Sequence, residues 1–272
     1  MNKVKKLMLK AKKTVFSEKV GNNSSIFKGE GYDFVELREY QNGDDIRKID
    51  WNITAKFNTP YIKMFQEERE INVVTVSLLS GSTYFGSRKM KQDLIAEIVS
   101  LIGFSAVKNM DMFSSFIFSD KDIEFQKGSK SSFGVEKAVE NILNFNPIGK
   151  GVNAEFIIDS LIDRVKKRSL IFIISDFYEP LNLKYLSKHS EVIAIIVRDK
   201  LEENPSLFGE ISLVDSETED VVDGNFGDSK NYQKQLRSHD KDVFENMKKN
   251  GVKILKIYTD SDVFKDFKKF FQ

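Results

Sequence analysis

Two hydrophobic rhythms alternate along most of this chain. Val73–Leu79 is a continuous run dominated by apolar residues, the pattern of a strand buried on both faces. Leu94, Ile95, Ile98, Val99 and Ile102 then recur at helical spacing and predict an amphipathic helix over about Lys89–Lys108. Phe113–Phe118 reads as the next strand, paired in a hairpin with Ile123–Gln126. Helices are expected at about Phe133–Phe145 and Asn153–Lys167, and buried strands at Leu170–Ser175 and Val192–Val197. Residues 201–230 are acidic and loop-like, with Ile211–Val214 the clearest strand. A helix over Tyr232–Asn250, a capping Gly251, a strand at Val252–Tyr258 and a helix at Ser261–Phe271 close the chain. In that last helix Phe264, Phe267, Phe270 and Phe271 read as a core-facing stripe, with an exposed docking face as the alternative. Strands alternating with helices predict an α/β, Rossmann-like fold: a mostly parallel sheet flanked by helices.

The first residues follow other rules. Residues 1–20 read as a basic amphipathic helix with Val4, Leu7, Met8, Ala11 and Val15 on one face. Lys10, Lys12 and Lys13 interrupt the apolar stretch that a signal peptide needs. Docking of that face on the chain's own domain is the favoured reading, with peripheral membrane contact through residues 1–16 as the alternative. Residues 21–66 carry turn signals and period-two patterning around Tyr32–Tyr40 and Tyr61–Phe65, which predicts a β-rich extension. Residues 67–272 are then the main domain.

Composition narrows the function. Lys and Arg total 42 against 41 Asp and Glu, a net charge of +1, which argues against a general nucleic-acid binder. There is no Cys, so disulfides, thiolate metal sites and cysteine nucleophiles are excluded. The two His residues, His189 and His239, lie in no zinc-like spacing. No apolar run reaches the roughly 18 residues that span a bilayer. Gly149-Lys150-Gly151 lacks the flanking pattern of a phosphate loop, and Gly81-Ser82 lacks a His partner for a nucleophile elbow.

Ligands of open α/β sheets bind at the carboxyl ends of the strands. Two such ends stand out, Leu78–Gly86 and Ser175-Asp176-Phe177-Tyr178. If the strands are neighbours, hydroxyls from Ser80 and Ser82 converge with the Asp176 carboxylate, the start of a hard-oxygen site. The structural alternative is that Ser80, Gly81 and Ser82 make the turn and Asp176 caps a following helix. A second cluster gathers Arg38, Glu39, Asp44, Asp45, Arg47 and Asp50. Interleaved acids and bases read as a buried ion-pair network, with Trp51 as the core anchor of the extension. A partner-binding surface is one alternative. A divalent-metal-dependent binder or hydrolase built on Asp44, Asp45 and Asp50 is the other.

The string Gly31–Tyr40, with Arg38-Glu39-Tyr40, continues into Gly43-Asp44-Asp45-Ile46-Arg47-Lys48-Ile49-Asp50-Trp51. It closely resembles the signature of the bacterial "domain of unknown function 58" family. Glu67-Glu68-Arg69, Ser175-Asp176-Phe177, Val197-Arg198-Asp199, Asp215, Glu217 and Thr259-Asp260 match further family positions, from about Gly21 to the end. That family is similar to von Willebrand factor A domains, many of which hold Mg²⁺ through an Asp-x-Ser-x-Ser pattern, a distant Thr and a distant Asp. Here Ser80, Ser82 and Asp176 match, whereas Leu78 stands for the leading Asp and Val152 for the Thr.

Mg²⁺ sheds its waters only for charged oxygen donors, so the resemblance implies a degenerate adhesion site with no metal, or a rearranged one recruiting Asn153 or Glu179. It further implies a non-enzymatic interaction protein without cofactor or catalytic residues. Its partners would be a MoxR-type AAA+ ATPase and membrane von Willebrand A-like proteins in a chaperone-like envelope or stress system. The location would be cytoplasmic, with the inner face of the membrane as the alternative.

Overall fold

The computed structural model describes residues 7–8, 11, 14–15, 36–64, 70–121, 123–204, 210–214, 221–225 and 229–271. The chain forms two compact units, Phe27–Glu70 and Met1–Ile26 with Ile71–Gln272. In the smaller unit, β1 (Glu36–Glu39) pairs antiparallel with β2 (Tyr61–Met64). Between them lie a 3-10 turn at Ile46–Lys48 and a two-turn helix, α1 (Trp51–Phe57), absent from the sequence reading. Its apolar residues have no single stripe, and none of them is buried. Caps define it instead: the Asp50 carboxylate accepts from the Asn52 and Ile53 N–H groups, and Asn58 closes it in the left-handed region at φ 56°.

The larger unit is built on β3 (Asn72–Leu78), β4 (Met112–Phe118), β5 (Ile123–Ser129), β6 (Leu170–Ser175), β7 (Glu191–Arg198) and β10 (Lys253–Tyr258). They form one sheet in the order β10-β7-β6-β3-β4-β5, parallel throughout except for the β5 edge. The helices are α2 (Lys91–Lys108), α3 (Ser132–Asn144), α4 (Ala154–Arg164), α5 (Lys184–His189), α6 (Lys200–Glu203), α7 (Ser229–Lys249) and α8 (Val263–Phe271). A separate hairpin joins β8 (Glu210–Val214) to β9 (Val221–Asn225). This is the α/β architecture expected from the sequence, a mostly parallel sheet flanked by helices. Strand order reverses between β3 and β6, so a crevice opens at their carboxyl ends.

Burial explains the continuous strand patterns. Every residue of β6 is buried, as are all but the first of β7. Val76 and Ile173 pack with Ile157 and Leu161 of α4 and with Val243 and Met247 of α7 on one face. α2 is buried well beyond the expected stripe, at 14 of its 18 residues, because α3 and α8 pack on it as well as the sheet. Gly103 permits the α2–α3 approach: a Cβ there would stand 2.7 Å from Cγ1 of Val135. In α8, Val263 and Phe267 are buried and Phe264, Phe270 and Phe271 half-buried, close to the predicted stripe.

At the amino end, residues 7–8, 11 and 14–15 are helical. Ala11 and Val15 are buried, and Lys108 donates to the Val15 carbonyl at 2.8 Å, as docking on the chain's own domain requires. Val4 and Lys10, Lys12 and Lys13 lie outside the described residues. No helix among the described residues is long and apolar enough to cross a membrane.

Candidate functional site

The β3 and β6 ends do converge. Beyond β3 the chain turns through a single 3-10 turn, Gly81–Thr83, which Ser80 heads without a side-chain cap. The Ser80 backbone carbonyl accepts from Thr83 instead, and its hydroxyl reaches Ser82 within the turn. Ser82 Oγ donates to Asp176 Oδ2 at 2.5 Å, and Ser80 Oγ lies 2.8 Å from Ser82 Oγ. With the Ser82 proton committed to the carboxylate, Ser80 is the donor of that second bond. Asp176 caps no helix, contrary to the structural alternative: α5 begins only at Lys184, and its cap residue is Leu183. The chain bends sharply after Asp176 because Phe177 adopts the left-handed region at φ 54°. That conformation is costly for a bulky residue. It is held by the Phe177 N–H donating to Ser175 Oγ, by His239 Nε2 at 3.1 Å from the Phe177 carbonyl, and by burial of the ring.

The residue that organises the site was not legible in the sequence. Lys91, the first residue of α2, is fully buried. Its Nζ donates to Asp176 Oδ2 at 2.9 Å and to Glu202 Oε1 at 2.5 Å, and lies 5.4 Å from the centre of the Tyr178 ring. A lysine at a helix amino terminus opposes the helix dipole, and a lysine without solvent is rare unless paired. Burial works against its charge, but Asp176 and Glu202 outweigh it and raise its pKa. Burial likewise opposes the charge on Asp176, and Lys91 with Ser82 outweighs it, so that carboxyl is held below its usual range. One ammonium does not neutralise two carboxylates. Glu202 is the member left over, and burial, only partly offset by Lys91, pushes it up.

These directions fix a pH dependence. Above its ordinary 4.5, Glu202 takes up a proton more readily in the folded chain, so stability rises as pH falls toward 4.5. Asp176 works the other way: its contribution is present above its ordinary 3.8 and is lost as pH falls through its lower folded value. Glu202→Gln is therefore expected to flatten the gain on acidification and to leave the acid loss in place. Urea midpoints measured across that range check this. An unchanged profile would mean that Glu202 is not the titrating group.

A second layer of charge encloses the first. Arg198, at the end of β7, is fully buried. It stacks 4.2 Å from the centre of the Tyr178 ring and bonds Asp240 of α7 at 2.7 Å. Asp199 takes the Ser87 N–H and hydroxyl, both at 2.8 Å, and the Thr259 hydroxyl. It also caps α6 through a capping box with Glu202, which aims Glu202 at Lys91. The matched positions Asp176, Arg198, Asp199 and Thr259 thus belong to one network, and Asp260 pairs with Lys200 at its exposed rim.

The residues do not fit a divalent ion. Leu78 is buried in the core and Val152 packs against it, so both offer carbon where oxygen donors are needed. The Gly81 N–H bonds the Lys150 carbonyl at 2.8 Å, which brings residues 150–152 beside the turn, but Asn153 spends its side chain capping α4 and Glu179 is exposed. A divalent charge placed about 3 Å from the Lys91 ammonium would meet a repulsion on the order of 10 kcal/mol at an effective dielectric near 20.

The Arg-Glu-Tyr string behaves differently from the expected buried network. Arg38 pairs with Asp44 at 2.8 Å, half-buried, and Arg47 with Asp45 at 3.0 Å at the surface. Asp44 also accepts from the Gln41 N–H, Asp45 from the Arg47 N–H, and Glu39 from the Tyr61 hydroxyl at 3.4 Å. Asp44, Asp45 and Asp50 are thus absorbed in turns and caps. Gly43, just before them, sits at φ 109°, which favours glycine. Tyr40 is half-buried. Trp51 is no core anchor: it is 67% exposed, because it opens a short helix that buries nothing. Gly31–Val35, Glu67-Glu68-Arg69, Asp215 and Glu217 lie outside the described residues.

Fold and site together define an α/β protein with a mostly parallel sheet whose strand-end crevice is closed by its own ammonium. The chain belongs to the family described as protein of unknown function DUF58, which matches residues 36–242. It is 26% identical over 261 residues to uncharacterised proteins of Mycobacterium bovis and Mycobacterium tuberculosis, covering 92% of this chain and 82% of theirs. Among solved structures, the conserved hypothetical protein BatB from Bacteroides thetaiotaomicron aligns at a TM-score of 0.42 and 13% identity, over 74% of this chain and 96% of that one.

Proposed function

We propose that this chain is a non-enzymatic protein-interaction module, an adaptor that engages a MoxR-type AAA+ ATPase and membrane von Willebrand A-like proteins on the cytoplasmic side. The carrying observation is the exposure of Ile46, Trp51 and Phe57, at 62%, 67% and 65%, on the family-signature unit. Large apolar side chains grouped within twelve positions cost solvation free energy unless a partner covers them. Exposed Trp is among the residue types enriched in interface hot spots. Local caps and the Arg38–Asp44 and Arg47–Asp45 pairs hold these side chains on a fixed frame, so little ordering is left to oppose binding. Titratable groups at the strand ends are meanwhile committed to one another, which leaves no free acid or base for catalysis there.

Affinity capture on the intact chain tests this. The native protein is expected to retain its AAA+ ATPase. Trp51→Ala is expected to weaken capture by about 30-fold, the scale of one hot-spot residue, with an unchanged melting temperature. Failure of the native chain to retain any AAA+ ATPase would sink the reading.

A further inference from the structure

We infer that Lys91 is the resident cation of the strand-end site, a covalently attached replacement for a divalent ion. Three observations carry this. The ammonium sits on the same Asp176 oxygen that Ser82 reaches, so the Ser80–Ser82 hydroxyl chain and the ammonium meet on one carboxylate oxygen, where a metal held by that carboxylate would sit. Glu202 supplies a second carboxylate from the opposite side, through a capping box that leaves it no other direction. The Lys91 side chain is entirely buried, while those of Asp176 and Glu202 are 4% and 12% exposed, so the site lies just under the surface and not deep in the core.

The chemistry of the two cations differs in a way that matters. A metal ion leaves when it is chelated or diluted, and its open coordination position invites an acidic group of a partner. An ammonium has three donors, no open position and no dissociation constant. This site is therefore permanently loaded. It holds the ends of β3, β6 and β7 together without responding to Mg²⁺, and it offers nothing for a partner's carboxylate to coordinate.

Removing the ammonium should expose the hidden ligand set: two hydroxyls and two carboxylates, the hard-oxygen donors that divalent ions take. Mn²⁺ and Mg²⁺ are the probes, and thermal unfolding of the full chain is the readout. The native protein is expected to show no shift at millimolar metal. Lys91→Ala is expected to melt lower and to regain roughly 5–10 °C at a hundredfold excess of metal over Kd. If Lys91→Ala does not fold alone, Mn²⁺ should fold it, since binding and folding are then coupled. Lys91→Ala/Asp176→Asn should lose the response.

Leu78→Asp/Val152→Thr, which restores the two missing donors but keeps Lys91, should stay unresponsive. Three results would each overturn the inference: an Asp176-dependent metal shift in the native chain, a metal response in Leu78→Asp/Val152→Thr, or a Lys91→Ala chain that Mn²⁺ neither stabilises nor folds.

Discussion

Lys91→Met is expected to lower stability by about 3–5 kcal/mol at neutral pH. Methionine keeps the unbranched stem, so the apolar packing of the side chain largely survives and the loss is electrostatic. Asp176 and Glu202 would remain within the crevice without the ammonium that both bond, and a buried charge stripped of its partner costs far more than the pair contributes when intact. The sign is not a foregone conclusion for buried ion pairs in general, since replacing all partners together is often neutral. Lys91→Met/Asp176→Asn/Glu202→Gln removes every charge of the trio and should therefore recover more than half of the loss. Acidification should also partly rescue the single variant, because protonation discharges the stranded carboxylates. Urea unfolding at neutral and mildly acid pH measures all three effects. A loss below about 1 kcal/mol would place the trio among weak, solvated pairs.

Asp240→Ala is expected to cost about 3 kcal/mol. Arg198 is fully buried and cannot shed its charge, and its bond to Asp240 is the short one, at 2.7 Å. Its Nε and Nη1 already find no hydrogen-bond acceptor among the described residues, so Asp240 carries much of the compensation for that burial. Stacking on Tyr178 remains in the variant and limits the loss. Arg198→Met should cost a similar amount, and Arg198→Met/Asp240→Ala clearly less than the sum of the two. A double-mutant cycle on unfolding free energies reads the coupling directly. Additive losses would show that the two side chains do not stabilise each other.

The network around Lys91 and Arg198 also shows where reading by residue pattern stops. Ser80, Ser82 and Asp176 were recognisable because each follows a strand whose apolar run marks its end. Arg198, Asp199 and Thr259 were matched as family positions, although no pattern said what they touch. Lys91 carried no signal at all: one lysine among many, placed at a helix start where lysine is unremarkable on a surface. Trp51 misled in the opposite direction. A lone tryptophan in a signature string reads as an anchor, yet α1 is a helix defined by its caps, and caps need no core beneath them.

The chain's own order of apolar and polar residues determined the strands β3, β4, β6, β7 and β10, the helices α2, α3, α4, α7 and α8 and the α/β class, because burial on a sheet face or a helix stripe repeats over a few residues; the short α5 and α6 were not legible in it. It also placed two hydroxyls and a carboxylate at strand ends, and it showed that Leu78 and Val152 are not oxygen donors. What it left open was the charge that those groups answer to. Lys91 stands 85 positions from Asp176 and 111 from Glu202. Only the strand order, with its reversal between β3 and β6, brings the three together. Local periodicity encodes which residues are buried, whereas the partner of a buried charge is set by topology, and here the tertiary structure supplied Lys91 as the partner of Asp176 and Glu202.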